Sequence, residues 1–298
     1  MYAPEKILRA FDKRSTLRGD TTTAYRAVDG RGDELPGLVI DDFNGNWLIG
    51  LRPGQAIPEL DRALGFHSVY GKLLADQGKK PPTFWAGQPV TSRFTVEEYG
   101  LKFWIDFQSG YSQGLFLDQR LNRRRLREMS AGKTILNTFA YTCAFGVAAA
   151  AAGASTTNVD LSRNYLEWGR QNYLANHIDS HCHEFVYGDV FDWLKRFAKK
   201  GRYFDLIILD PPTFSRDRQG NVFQAERDYG ELLDLALSVG ARNSQLLCCV
   251  NTHRLPQPRF AKILQAKLPK DAKTTVVGMP EDFPGSDYLK SIWVERVD

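Results

Sequence analysis

Cysteine is scarce in this chain of 298 residues: Cys143, Cys182, Cys248 and Cys249 form neither a CxxC pair nor the even spacing of a disulfide scaffold. That excludes a stapled secreted module and argues against a zinc site, so no metal is expected and a reducing compartment is. Long apolar runs are also missing. No stretch approaches the roughly 18 residues of a membrane span, and the opening MYAPEKILRAFDKR is charged and amphipathic, without a signal-peptide core. A cytoplasmic protein is the expectation. The GxGxxG fingerprint is absent, as are internal repeats and low-complexity tracts, which removes the common dinucleotide signature and the solenoid folds. Neither sign of charge dominates: a net charge of +4 only mildly favours a polyanionic partner.

Two regimes of periodicity are present. Residues 1–105 carry short β-like runs broken by turn chemistry: AYRAV, LVIDDF, the NGN turn, WLIGL, a helical piece at IPELDRALGF, the strand HSVYGKLL, the loop GKKPPTF and a hairpin FTVEEYGLKFWIDF turning at Tyr99-Gly100. They predict a small α+β domain. In residues 106–298 strands and helices alternate, the pattern of a parallel sheet covered on both faces. TILNTF, TTNVDL, HEFVYGD, FDLIILD and QLLCCVN read as strands, and KTTVVGM and LKSIWVERV close the chain. The connection PEDFPGSDY is too short and loop-like for a crossover helix, so this last pair is expected to be antiparallel. The fold class expected is α/β, a Rossmann-like doubly wound, mostly parallel seven-stranded sheet.

In such sheets ligands bind at the carboxyl ends of the strands, where the strand order reverses. The first strand ends in the loop Asn137–Gly146, and the second ends on Asp160, which fits either a ribose acceptor or the cap of the helix near Ser162. After the third, Asp189 can meet an adenine edge or cap the next helix. The fourth ends in Asp210-Pro211-Pro212. Neither proline has an N–H to satisfy and each locks φ, so the carboxylate is fixed at the sheet rim, while Phe214 offers a π face for a flat acceptor. Ahead of these strands DQRLNRRRLRE gathers Arg120, Arg123, Arg124, Arg125 and Arg127, with Arg120, Arg124 and Arg127 at helical spacing, which reads as a basic face or as ordinary solvated charge.

The strings GLFLDQRLNRRRL, LNTFAYTCAFGVAAAAAGA, VDLSRNYLEWGRQNYLANH, GDVFDWL and FDLIILDPPTFS resemble the class I S-adenosylmethionine-dependent methyltransferases that modify bases of large-subunit ribosomal RNA. VDLSRNYLEW and DPPTFS are similar to the guanine-N7 branch. AYRAVDGRGDELPGLVIDDF resembles the small domain of the cytosine-C5 branch. The resemblance implies S-adenosylmethionine as cofactor. Gln113, Asp118, Arg120, Phe139, Tyr141 and Thr142 would lie about its methionine end, Asp160 and Leu161 at the ribose, Asp189 and Val190 at the adenine, and Asp210 at the methyl group. Asp210, Pro211, Pro212, Phe214 and Asn251 would frame the acceptor base. Arg120, Arg123, Arg124 and Arg127 would contact RNA, helped by GKKPP and KRSTLR.

Three departures qualify that assignment. The PUA module that usually precedes these domains has no counterpart before the hairpins, so RNA is expected to be engaged by other residues. Gln113 stands where the family often has threonine. Asn251 stands where cytosine-C5 chemistry needs a cysteine, because C5 becomes nucleophilic only after a thiolate adds to C6. Cys248 and Cys249 lie inside the preceding apolar strand, where buried core residues are expected. Methylation of guanine N7 in 23S ribosomal RNA is therefore favoured over cytosine C5. Methylation of a protein side-chain amide and a non-catalytic RNA-binding module are the rival readings, and a monomer or homodimer is expected.

Overall fold

The computed structural model describes residues 2–18, 21–59, 64–74, 80–110, 112–216 and 222–296. Contacts divide the chain into two units: Met1–Arg120 with Met279–Ser286, and Leu121–Gly278 with Asp287–Asp298. The first unit runs past the expected boundary at 105 and takes back a short segment that the sequence reading left in the second.

In the first unit α1 (Pro4–Asp12) and the short α2 (Ser15–Arg18) precede five strands, β1 (Ala24–Asp29), β2 (Leu38–Phe43), β3 (Asn46–Leu51), β4 (Ser68–Leu73) and β5 (Thr83–Gly87). They form one sheet in sequential order, parallel only between β3 and β4. The NGN turn joins β2 to β3 with Asn44 at φ 57° and Gly45 at φ 81°, the left-handed pair that matches hairpin twist. A second hairpin, β6 (Phe94–Glu98) and β7 (Leu101–Ile105), turns at Tyr99-Gly100 as expected. Of the helix expected at IPELDRALGF, residues 57–59 are not helical and 60–63 lie outside the described residues. So do residues 75–79, on which part of the Lys-Pro loop falls, and β5 beyond it was not anticipated.

Charges are buried in this unit as matched pairs. Arg14 reaches Asp33 at 2.6 and 2.7 Å, and Arg120 grips Asp282 at 2.5 and 3.0 Å, with side-chain exposures of 2% or less in both pairs. Asp282 belongs to the returning segment. Its backbone carbonyl also accepts from Arg14 and its carboxylate from the backbone N–H of Arg26. Removing one member of such a pair leaves an uncompensated buried charge, which costs roughly 3–5 kcal/mol.

The second unit contains α3 from its second residue onward (Arg120–Glu128), then β8 (Thr134–Thr138), α4 (Ala144–Ala150), β9 (Ser155–Asp160), α5 (Arg163–Ala175), β10 (Glu184–Tyr187), α6 (Val190–Lys199) and β11 (Phe204–Leu209). There follow the ribbon β12 (Phe214–Arg216) and β13 (Val222–Gln224), then α7 (Ala225–Leu237), β14 (Gly240–Asn251), α8 (Gln257–Gln265), β15 (Lys273–Val277) and β16 (Leu289–Glu295). Seven strands form one sheet in the order β10-β9-β8-β11-β14-β16-β15. The first five are parallel, and β16 runs antiparallel to both β14 and β15. Strand order therefore reverses between β8 and β11, and the closing pair is antiparallel as its connection predicts.

Apolar β11 is sunk at the centre of this sheet: Leu206, Ile207, Ile208 and Leu209 are fully buried, and Ile207 and Leu209 pack in one cluster with α6 and α7 residues such as Leu194, Phe197, Leu232 and Leu233. On α4, Gly146 permits a close approach to β9: a β-carbon there would overlap the Asn158 side-chain oxygen and the Tyr173 hydroxyl. Both belong to a buried network in which Asn158 bonds Asn137 at 2.9 Å and Tyr173 at 3.1 Å. Gly146→Ala should therefore destabilise the protein by about 1–3 kcal/mol through overpacking, read as a lowered midpoint in thermal or denaturant unfolding.

Candidate cofactor and acceptor site

At the carboxyl edge of the second unit the loop after β8 is wound tightly without glycine. Phe139, Tyr141 and Cys143 have φ of 52°, 49° and 60°, a left-handed conformation repeated at alternate residues. Such conformations cost non-glycine residues energy and persist where surroundings over-determine them. Here the determinants are visible: the Ala140 N–H bonds the Val159 carbonyl at 3.0 Å, the Tyr141 N–H bonds the Asp160 carboxylate at 2.8 Å, and Asn172 donates to the Thr142 carbonyl at 2.9 Å. Tyr141 packs edge-on against Tyr165, with ring centroids 4.5 Å apart.

Asp160 organises this corner. One carboxylate oxygen takes the Tyr141 N–H and the other takes the Ser162 N–H, both at 2.8 Å. The helix α5 is capped by Ser162, whose hydroxyl accepts from the Tyr165 N–H, so capping α5 is not the task of Asp160. Burial pushes the Asp160 carboxyl above its ordinary pKa, opposed by the two backbone bonds. Each oxygen retains a second lone pair, so the carboxylate can accept two further hydrogen bonds, as a ribose diol requires. Leu161 follows it, half-buried. Asp189 does cap α6, accepting from the Asp192 N–H at 3.2 Å, and Val190 behind it is buried.

Two aromatic residues not singled out from the sequence stand at the same edge. Phe223 of β13 lies 6.1 Å from Phe139 and 5.9 Å from Phe191, ring centre to ring centre. Phe191 carried a signal in its place next to Val190; Phe223 carried none, since its position depends on the ribbon that follows the prolines. Asp210 ends β11 half-buried, Pro211 is buried and Pro212 is exposed. Phe214 opens β12, and only its backbone is described. The hydroxyl of Thr213 donates to the Asn251 carbonyl, which ties the loop after β11 to the end of β14. Tyr229 of α7 supports the rim from below by donating to the Leu209 carbonyl at 3.2 Å. Cys248 and Cys249 are fully buried, and burial holds the Cys248 thiol up to about 12.

Other expected residues lie in the first unit. Asp118 is buried in the turn Leu117–Gln119, and Gln113 is buried with its amide donating to the Gly110 carbonyl at 3.1 Å and its oxygen accepting from Lys72 at 3.4 Å. The basic face expected on α3 requires correction. Arg120 and Arg123 are only 1% and 3% exposed, the first clamped by Asp282 and the second over the Phe145 ring at 5.9 Å. Neither can present charge to solvent. Arg124 is exposed but pairs with Glu128 at 3.2 Å, and Arg127 is half-buried. Among the described residues no helix is long and apolar enough to cross a membrane, and no His, Cys, Asp and Glu cluster could hold a metal.

The family described as S-adenosylmethionine-dependent methyltransferase matches residues 57–287. YwbD of Bacillus subtilis is 32% identical over 98% of this chain and 79% of its own length. A protein of Deinococcus radiodurans named ribosomal RNA large subunit methyltransferase is 33% identical over 94% and 74% of the two chains. The crystal structure of SMU.776 complexed with SAH superimposes with a TM-score of 0.87 at 29% identity, covering 98% of this chain and 80% of that one.

Proposed function

Because the chain belongs to the class I S-adenosylmethionine-dependent methyltransferases, we propose that its acceptor is a base of large-subunit ribosomal RNA, methylated at guanine N7. The names of its relatives support the RNA class: the Deinococcus protein and a Neisseria meningitidis protein, 41% identical over 51% of this chain and 44% of its own, are both named ribosomal RNA large subunit methyltransferases. One feature of the acceptor side carries the choice of atom. The end of β14 offers Asn251, and the nearest thiols in that strand are buried two and three residues before it, with Cys248 held far from ionisation. Addition to cytosine C6 has no nucleophile, whereas a ring nitrogen attacks through its own lone pair and needs neither thiolate nor base.

The bound cofactor supplies a methyl group on a positively charged sulfur. The protein's part is to hold and align. Asp160 would take the ribose hydroxyls, Asp189 and Val190 would border the adenine, and Phe139, Tyr141 and Thr142 would shape the pocket toward the methionine end. Gln113 and Asp118 are assigned to that end by the resemblance alone. Arg120, whose two terminal nitrogens are both held by Asp282, acts by fixing the start of α3. Asp210, Pro211, Pro212, Phe214 and Asn251 would frame the flat acceptor, with the Thr213–Asn251 bond keeping the two strand ends in register. A target base must be unpaired or flipped to reach such a slot.

Mass spectrometry of ribosomal RNA nucleosides from cells with and without the gene tests the reading. Loss of one 7-methylguanosine is the expected result. Loss of 5-methylcytidine would replace the atom, and transfer of radiolabelled methyl only to ribosomal protein would replace the acceptor class.

A further inference from the structure

With Arg120 and Arg123 buried, the strongest exposed charge lies elsewhere. Between Leu194 and Arg202 the chain reads LKRFAKKGR, five cations and no acid in nine residues. The helix α6 buries Val190, Leu194 and Phe197, which leaves Lys195, Arg196 and Lys199 exposed on its outer side, with Lys200 exposed at its C-cap. Among the described residues none of these four is paired with a carboxylate. Several exposed cations elsewhere do find carboxylates: Arg124 has Glu128, Arg170 has Glu167, Arg227 has Asp228 and Lys267 has Asp234. On α6 and its C-cap four stand close together without one.

Aromatic rings interleave with these charges. Arg196 lies 5.0 Å above the Trp193 ring, and the Trp193 indole N–H bonds the Tyr187 carbonyl at 3.2 Å. Arg163, at the start of α5, lies 4.5 Å above the Tyr187 ring. Contacts thus run unbroken from Arg163 across β10, the terminal strand of the sheet, to Arg196; Lys199 and Lys200 follow along the helix, and Tyr203 just beyond is 56% exposed. The carboxylates nearby are few. Asp192 is the one acid on α6, and Arg202, which closes the run, already holds Glu184 at 2.6 Å. Cations spaced along one edge with aromatic faces between them suit a phosphate backbone carrying unstacked bases, better than they suit an acidic protein surface, which has no use for the rings.

We propose that this strip, centred on Lys195, Arg196, Lys199 and Lys200, is the phosphate-binding surface for the RNA substrate; the inference rests on the RNA reading above. The helix α6 starts at its cap Asp189, at the carboxyl edge, and runs away from it, so RNA held along the strip would reach the acceptor slot with the segment that passes the start of the helix. The contacts position the RNA and leave choice of base to the slot at Asp210 and Asn251.

The test is a salt titration of the full chain, wild type and Lys195→Gln/Lys199→Gln/Lys200→Gln, binding a large-subunit ribosomal RNA transcript, with methyl transfer and cofactor affinity measured on the same samples. Each lost phosphate contact lowers the slope of log affinity against log salt by about 0.7–0.9, so the triple variant should lose about two units of slope or more. Its KM for RNA should rise about tenfold or more at low salt, while kcat at saturating RNA, cofactor affinity and melting temperature stay as in wild type. An unchanged slope and affinity would overturn the proposal while leaving the RNA reading intact. Wild-type protein that shows no salt-dependent RNA binding and methylates only protein would remove both.

Discussion

Asp210→Ala is expected to lower methyl transfer to ribosomal RNA by on the order of 10²–10³-fold in kcat, the range found when one preorganised polar group is removed from an active site. Cofactor affinity should change by much less. The asymmetry follows from the position of the residue: it closes β11, the strand at which the sheet order reverses, and is followed by two prolines that fix the chain where it leaves the sheet. Truncation leaves those prolines, the Thr213 bond to Asn251 and the Tyr229 bond to Leu209 in place. The rim should keep its shape and lose its carboxylate. Single-turnover transfer alongside calorimetric titration of the cofactor separates the two effects; full retention of kcat would strip Asp210 of the role.

Asp160→Ala should do the reverse, weakening cofactor binding by about 10²-fold or more. Hydrogen bonds to an ionised group contribute about 1.5–3 kcal/mol each, and a ribose diol offers two. A second effect accompanies the first, because the same carboxylate holds the Tyr141 and Ser162 N–H groups. Without it the left-handed loop at Phe139, Tyr141 and Cys143 loses a restraint, so the melting temperature should fall as well. Raising the cofactor concentration should recover most of kcat. The sign of the pH dependence is fixed by the same group: only the ionised carboxylate can accept from both hydroxyls, and burial places its titration above the ordinary aspartate value. Wild-type cofactor affinity should therefore weaken as pH falls through that raised titration. A dissociation constant that Asp160→Ala leaves unchanged would reduce the residue to a loop restraint.

Much of the second unit was legible because its signals are local. Five apolar strands alternating with amphipathic helices dictate a parallel sheet, and a loop-like connection between the last two strands dictates their antiparallel pairing. The acids at strand ends were legible for the same reason, although Asp160 and Asp189 turned out to differ: Ser162 relieves the first of capping, while the second caps α6. What escaped was set by partners distant in sequence. The arginine spacing on α3 correctly gives a helix, but the carboxylate that takes Arg120 inward is 162 residues away. No periodicity reports such a pairing. The loop after β8 offered no glycine to flag its left-handed residues, and β5 and Phe223 depend on neighbours supplied by other strands.

The return of Met279–Ser286 to the first unit also orders events during synthesis. Arg14 and Arg120 emerge from the ribosome long before Asp282, the residue whose carboxylate neutralises Arg120 and whose carbonyl receives Arg14. A nascent chain halted anywhere in between holds a guanidinium that must either stay hydrated or be sequestered without its counterion. The unit that is translated first is thus completed only after most of the second has been made, when the eight residues Met279–Ser286 emerge.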